Sequence, residues 1–117
     1  MTSIEELTAE IRRFRDERDW LQFHDPKNLA SSVCIEAAEL LELFQFAASG
    51  EASFRVAAEK KERLSEEIAD VAIYLLELAD LAKIDLGEAI RDKMRKNAAK
   101  YPVGKSRGVS TKYTDLK

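Results

Sequence analysis

Apolar residues recur along this chain every three or four positions, and no stretch of useful length alternates as a strand would. Ile4, Leu7, Ile11 and Phe14 share one helical face behind Ser3-Ile4-Glu5-Glu6, a capping box, so a first helix is predicted over residues 3–18. DWLQFHDPKN breaks the pattern, and Asp25-Pro26 reads as a turn or a helix start. A second helix is predicted over residues 29–48, ended by Ser49-Gly50. Residues 51–62 form a charged, alanine-containing connector, expected to be partly helical. The third helix, over residues 63–82, sets Leu64, Ile68, Val71, Ala72, Leu75, Leu76 and Ala79 at helical spacing. Asp85-Leu86-Gly87-Glu88 resembles another capping box and opens a fourth helix, which Tyr101-Pro102 stops. The polar, glycine-containing residues 103–117 are expected to form a mobile or partner-dependent tail. The pattern therefore predicts an all-α fold, four helices around one core, over residues 1–102.

Within that pattern, VCIEAAELLELF (residues 33–44) is apolar almost all the way round, yet it carries Glu36 and Glu39 one turn apart. A helix of that kind is normally buried, and buried carboxylates are costly unless paired. SEEIADVAIYLLEL repeats the device with Glu67 and Asp70. Residues three apart share a face, so two such pairs on neighbouring helices would bring four carboxylates around one point. Four like charges there need a cation or must take up protons. An all-oxygen donor set suits magnesium, manganese or calcium, and magnesium commonly bridges to a substrate phosphate. A di-iron bundle needs Glu-x-x-His on two helices; the one histidine, His24, stands outside any such motif. Taken singly, either acidic pair reads as a solvated face; the two together, flanked by apolar residues, favour a shared site.

Aromatic and basic residues accompany the acidic pairs. At about 100° per residue, Phe46 falls near Glu39 and Tyr74 between Glu67 and Asp70. Each is either core or a plane on which a base stacks. Lys93, Asn97 and Lys100 lie at i, i+4 and i+7, one face, with Tyr101 at the helix end; they are either a solvated face or a phosphate contact. Trp20 and His24 sit in the loop after the first helix, as loop anchors or as walls of a ligand pocket.

Composition narrows the classes. The formal charge of -3 gives no case for nucleic-acid binding. Cys34 is the single cysteine, which rules out an intrachain disulfide and a cysteine zinc site. No apolar run approaches the roughly 18 residues that span a bilayer, and residues 1–10 do not read as a signal peptide. The expectation is a cytoplasmic protein without a membrane partner.

These residues resemble the MazG-like all-α nucleoside triphosphate pyrophosphohydrolases, whose pattern is Glu-x-x-Glu followed by Glu-x-x-Asp. Here that is Glu36-Ala37-Ala38-Glu39 and Glu67-Ile68-Ala69-Asp70. RDWLQFHDPKNL, EAAELLELFQF, EEIADVAIYLL and KMRKNAAKYP together resemble the dCTP pyrophosphatase branch, so the likeness covers roughly residues 5–102. The resemblance implies that Glu36, Glu39, Glu67 and Asp70 hold magnesium, with manganese as a substitute, and that Glu36 or Glu39 acts as base. It implies that Trp20, His24, Phe46 and Tyr74 receive the base and sugar, and that Lys93, Asn97, Lys100 and Tyr101 lie on the phosphate side. It further implies a homodimer or homotetramer acting on a dNTP, with dCTP foremost. Phe46 stands where animal dCTP pyrophosphatases carry tryptophan, and Ile11 where they carry a pocket histidine; both bear on the preferred base. The competing class is a non-enzymatic helical interaction module whose carboxylates make salt bridges across a subunit interface, with Arg12, Arg13 and Arg18 as available partners.

Overall fold

In the computed structural model, which describes residues 2–117, helices occupy most of the chain and no strand occurs among the described residues. These residues fall into two compact units, divided after Ile84. The all-α expectation is met.

The first unit holds α1 (Ile4–Glu17), α2 (Pro26–Glu42), α3 (Glu51–Glu59) and α4 (Lys61–Leu81). α1 starts where the sequence says it should: the Glu6 N–H donates to Ser3 Oγ at 3.1 Å and the Ser3 N–H to the Glu6 carboxylate at 3.5 Å. Asp19 takes a left-handed conformation (φ 54) just past the helix end, which a short polar side chain tolerates. That turn folds the chain back so that the Trp20 N–H donates to the Arg15 carbonyl at 3.0 Å. A 3-10 turn follows at Leu21–Phe23. Asp25 then caps α2, accepting from the Asn28 N–H at 2.8 Å, with Pro26 in the first helical turn. Asn28 Nδ2 donates to the Phe23 carbonyl at 3.1 Å, which ties the loop to the helix that follows it.

α2 ends earlier than its apolar pattern suggests. From Leu43 the backbone bonds tighten to i→i−3, with Leu43 donating to Leu40 at 3.3 Å and Phe44 to Leu41 at 2.9 Å. Residues 43–46 are therefore turns rather than α-helix. The connector is helical as α3, opened by Gly50 at φ 81, a conformation that favours glycine. α4, at 21 residues, is the spine. It packs most extensively against α2, then α1, then α3. Arg12 clamps α1 to it, donating through Nε and Nη2 to the Asp80 carboxylate at 3.0 and 2.6 Å.

The second unit begins at Asp85, which caps α5 (Leu86–Lys100) by accepting from the Glu88 N–H at 3.1 Å. Pro102 follows, and the expected tail carries a short α6 (Val103–Ser106). Tyr101 and Tyr113 meet edge to face at 6.0 Å, and the Tyr113 N–H donates to Tyr101 Oη at 3.2 Å. Among the described residues no helix is long and apolar enough to cross a membrane.

The buried apolar residues among those described are few: Leu29, Leu43 and Ala79. Leu29 has 1% of its surface exposed, so Leu29→Ala removes side-chain packing that nothing nearby replaces. The expected cost is about 2–5 kcal/mol, read as a lower midpoint in urea or thermal unfolding with secondary structure retained below the transition.

Candidate active site

The paired spacing of the acidic residues is realised on the two helices that pack most closely. Glu36 on α2 and Glu67 and Asp70 on α4 each bring a carboxylate oxygen within 4.8 Å of the other two. Glu39 completes the set as a neighbour of both Glu36 and Glu67. The Oε2 atoms of Glu36 and Glu67 are buried and accept no hydrogen bond from any described residue. Burial pushes the Glu36 carboxyl above its ordinary value, and Glu39, Asp70 and Glu67 add to the rise. Glu67 rises for the same reasons, burial first and then the charges of Glu39 and Asp70, against a small opposing pull from Arg63. Burial raises the Tyr74 phenol, and the charges of Glu36, Asp70, Glu77 and Glu39 add to the rise.

Among the described residues no ion pair reaches these four carboxylates. Arg12 is committed to Asp80 at 2.6 Å, and Arg18 to the Phe14 carbonyl at 2.9 Å and to Glu17 at 3.8 Å. Arg13 is in no ion pair among them. Within one chain, then, the arginines do not supply the missing positive charge. The oxygens do suit a divalent cation: ligands on opposite sides of an octahedral magnesium lie about 4.2 Å apart, somewhat more for calcium. Unpartnered, hard oxygen donors at that spacing are what such an ion coordinates.

Beside the cluster lies a cavity of about 210 Å³ lined by Ile11, Phe14, Arg15, Trp20, His24, Asp70, Ile73, Tyr74 and Glu77. Asp70 belongs to both the cluster and the cavity wall. Trp20 stands edge to face with Phe14 at 5.8 Å and tilted to His24 at 6.0 Å; His24 meets Tyr74 edge to face at 6.4 Å. The loop bonds that pin Trp20 and His24 between α1 and α2 explain why these residues face α4 at all. The cavity is smaller than the roughly 300–1,000 Å³ of a site for a drug-sized ligand. It has room for one end of a ligand whose other end reaches the carboxylates.

Of the residues singled out from sequence, the first unit brings together Glu36, Glu39, Glu67 and Asp70, and lines the adjoining cavity with Trp20, His24 and Tyr74. Phe46 is not among the lining residues: it stands past the end of α2 and is 94% exposed. The helical wheel that set it near Glu39 does not apply, because the helix has ended before it. Lys93, Asn97 and Lys100 lie on α5 in the second unit, with Tyr101 capping that helix. Lys100 Nζ sits 4.6 Å over the Tyr113 ring. Two residues escaped the sequence reading. Arg15 and Glu77 are 5% and 3% exposed, as buried as the apolar core, and both line the cavity. The signal for Glu77 was present: Glu67, Asp70, Tyr74 and Glu77 follow one another at three, four and three residues, one face of α4.

Fold and site together define an all-helical protein with an unpaired carboxylate cluster opening on an aromatic-walled cavity. The MazG-like family model matches residues 31–116, and the chain belongs to that family. It is 46% identical over 120 residues to dCTP pyrophosphatase 1 of Rattus norvegicus and 41% identical over 119 residues to that of Homo sapiens, in each case covering 97% of this chain and 70% of the relative. A crystal structure of a pyrophosphatase from Archaeoglobus fulgidus superposes with a TM-score of 0.83 at 52% identity, covering 87% of this chain and 94% of that one.

The raised carboxyls give a signed prediction. Glu36 and Glu67 hold a proton more tightly folded than unfolded, where the ordinary value is 4.5. Their contribution to stability is therefore fully present below that value and is lost as pH rises through the folded one. In chelator, the melting temperature is expected to fall as pH climbs from about 4.5 toward neutrality, and Glu36→Gln is expected to flatten that fall. A flat profile in the wild type would contradict a crowded, cation-free cluster.

Proposed function

We propose that this protein is a magnesium-dependent pyrophosphohydrolase of nucleoside triphosphates, acting on dCTP or a closely related dNTP to give the monophosphate and pyrophosphate. The observation that carries the reading is that Asp70 belongs both to the carboxylate cluster and to the wall of the aromatic cavity. A ligand that fills the cavity with a planar ring thus has its far end at a cation site, as a nucleotide requires. Likeness to dCTP pyrophosphatases supports the choice of substrate.

Glu36, Glu39, Glu67 and Asp70 would hold magnesium, which when bound supplies Lewis-acid charge at the triphosphate. Their fit rests on the orphaned Oε2 atoms of Glu36 and Glu67. Glu36 or Glu39 takes the proton of the attacking water as its oxygen bonds to the α-phosphorus. The bond from that phosphorus to the bridging oxygen breaks, and pyrophosphate leaves. Trp20, Tyr74 and His24 orient the nucleoside in the cavity; Phe46, outside the cavity wall of one chain, would meet the base from a second copy. Lys93, Asn97, Lys100 and Tyr101 belong to the phosphate side, where ammonium groups offset developing charge. The catalytic domain spans residues 1–102, and residues 103–117 form its tail. The work is positioning and electrostatics, and its role is control of a cytoplasmic nucleotide pool.

Self-association as a homodimer or homotetramer belongs to the same reading. Phe46, Phe54 and Leu41 are 94%, 79% and 68% exposed, apolar side chains that a second copy of the chain would cover. The same exposure favours the second reading, a helical interaction module without catalysis. A nucleotide panel separates the two. Pyrophosphate release is expected with dCTP in magnesium, to stop in chelator, and to fall by at least about 100-fold in Glu39→Gln while circular dichroism shows the variant folded. No release from any dNTP or NTP by the folded wild type would leave only the interaction module.

A further inference from the structure

The cavity contains a charged group that the proposed chemistry does not use. Glu77 Oε1 lies 2.6 Å from His24 Nδ1 and 3.9 Å from Arg15 Nη1. Arg15 in turn grips Asp16, through Nε and Nη2 at 2.9 Å each, while its Nη1 is buried with no hydrogen-bond partner. Arg15, Glu77 and His24 all line the cavity, and they come from α1, α4 and the loop between α1 and α2.

With Arg15 as counter-charge Glu77 is assigned as the carboxylate, which only accepts hydrogen bonds, so the proton of the 2.6 Å bond is assigned to the His24 nitrogen. That fixes His24 with Nδ1–H donated to Glu77. Among the described residues Nε2 makes no hydrogen bond, so it is the ring nitrogen left for a ligand. In the neutral ring with Nδ1 protonated, Nε2 is an acceptor. A buried carboxylate without a counter-charge would be expensive, and Arg15 provides the charge. The ring is held like a histidine whose tautomer is set by the bond at its other nitrogen.

We propose that Glu77, backed by Arg15, is the positioning residue that makes His24 Nε2 an acceptor in the cavity, so that the site selects nucleotides offering a hydrogen-bond donor there. The inference rests on the pyrophosphohydrolase reading above. On the nucleoside of dCTP two groups have that chemistry: the exocyclic amine of the base and the hydroxyl of the sugar. A site whose buried polar atom goes unpaired rejects an analogue that lacks the partner.

Two measurements test this on the full chain. His24 is the one histidine, so nitrogen-15 NMR of its ring is unambiguous. The wild type, held at a pH where the ring is neutral, is expected to show the Nδ1–H form. Arg15→Met/Glu77→Met removes the acceptor without stranding a buried charge and is expected to shift the ring toward Nε2–H. Arg15→Met/Glu77→Gln keeps an acceptor oxygen and is expected to restore much of the Nδ1–H form. An Nε2–H ring in the wild type overturns the proposal.

The kinetic arm compares kcat/KM for dCTP, dUTP (no amine) and 2′,3′-dideoxy-CTP (no sugar hydroxyl). The wild type should favour dCTP over one of the two analogues, and the analogue names the group that is read. The Met pair and His24→Phe should each shrink that preference about three- to tenfold, the worth of one hydrogen bond, and combining them should shrink it no further. Equal slowing on all three substrates means a merely structural role and overturns the proposal. Should the Met pair not fold, the wild-type ring form and the His24→Phe ratio decide alone: an unmoved ratio overturns it. If the wild type cleaves no nucleotide, the pyrophosphohydrolase reading falls and this inference with it. If it cleaves dCTP with preferences that no variant moves, only this inference falls.

Discussion

Like charge brought together on two packed helices is the constraint around which the first unit is arranged. α2 and α4 make the most extensive helix contact in the chain, and that contact is where Glu36, Glu39, Glu67 and Asp70 meet. Helices that merely sought burial would put apolar residues there. Instead Leu29, Leu43 and Ala79 are buried while carboxylate oxygens of Glu36 and Glu67 go without a partner. The repulsion opposes the packing that creates it. A bound cation would reverse the sign, turning the repulsion at the seam into a cross-link between the unit's two main helices.

One face of α4 carries most of the chemistry, in order. Glu67 and Asp70 contribute to the cluster, Tyr74 walls the cavity, Glu77 receives His24, and Asp80 receives Arg12. Because each step is three or four residues, the functions are stacked about one turn apart along a single rigid element. Side chains held on a helix keep their spacing better than side chains on a loop. The loop residues Trp20 and His24 gain the same rigidity second-hand. Backbone bonds to Arg15 and Leu21 and the Asn28 amide bond to Phe23 hold the loop's backbone, and Glu77 holds the His24 ring.

What could be read from sequence was local. Ser3, Asp25 and Asp85 cap helices as their side chains suggest, and Pro102 follows the end of α5. The two acidic pairs were legible because each is one turn of one helix, and their meeting needed only that α2 and α4 be neighbours. The end of α2 was not legible. LLELFQFAA keeps an apolar helical rhythm through Ala48, so nothing in the pattern announces the tighter turns that start at Leu43. Buried Leu43 shows tertiary packing overriding the local preference for continued helix. Arg15 and Glu77 were missed for a related reason. Arg15 sits in RRFRDER, where one more arginine looks like a solvated face. Its burial is decided by a glutamate 62 residues away (77 − 15).

That pair also bears on how the unit acquires a unique arrangement. Among the described residues, the buried set is Leu29, Leu43 and Ala79 on the apolar side and Arg15 and Glu77 on the charged side. So small an apolar core packs tolerantly, since Leu and Ala contacts survive modest sliding of one helix against another. An ion pair does not, because moving α1 along α4 by a turn would take the buried Arg15 guanidinium away from the Glu77 carboxylate. Buried charge of this kind adds little net stability but can penalise wrong registers heavily. Arg12 and Asp80, one turn further on, repeat the lock at the surface. The register they enforce is the one in which Ile11, Phe14 and Arg15 of α1 wall the cavity opposite Tyr74, and therefore the one in which the cavity exists.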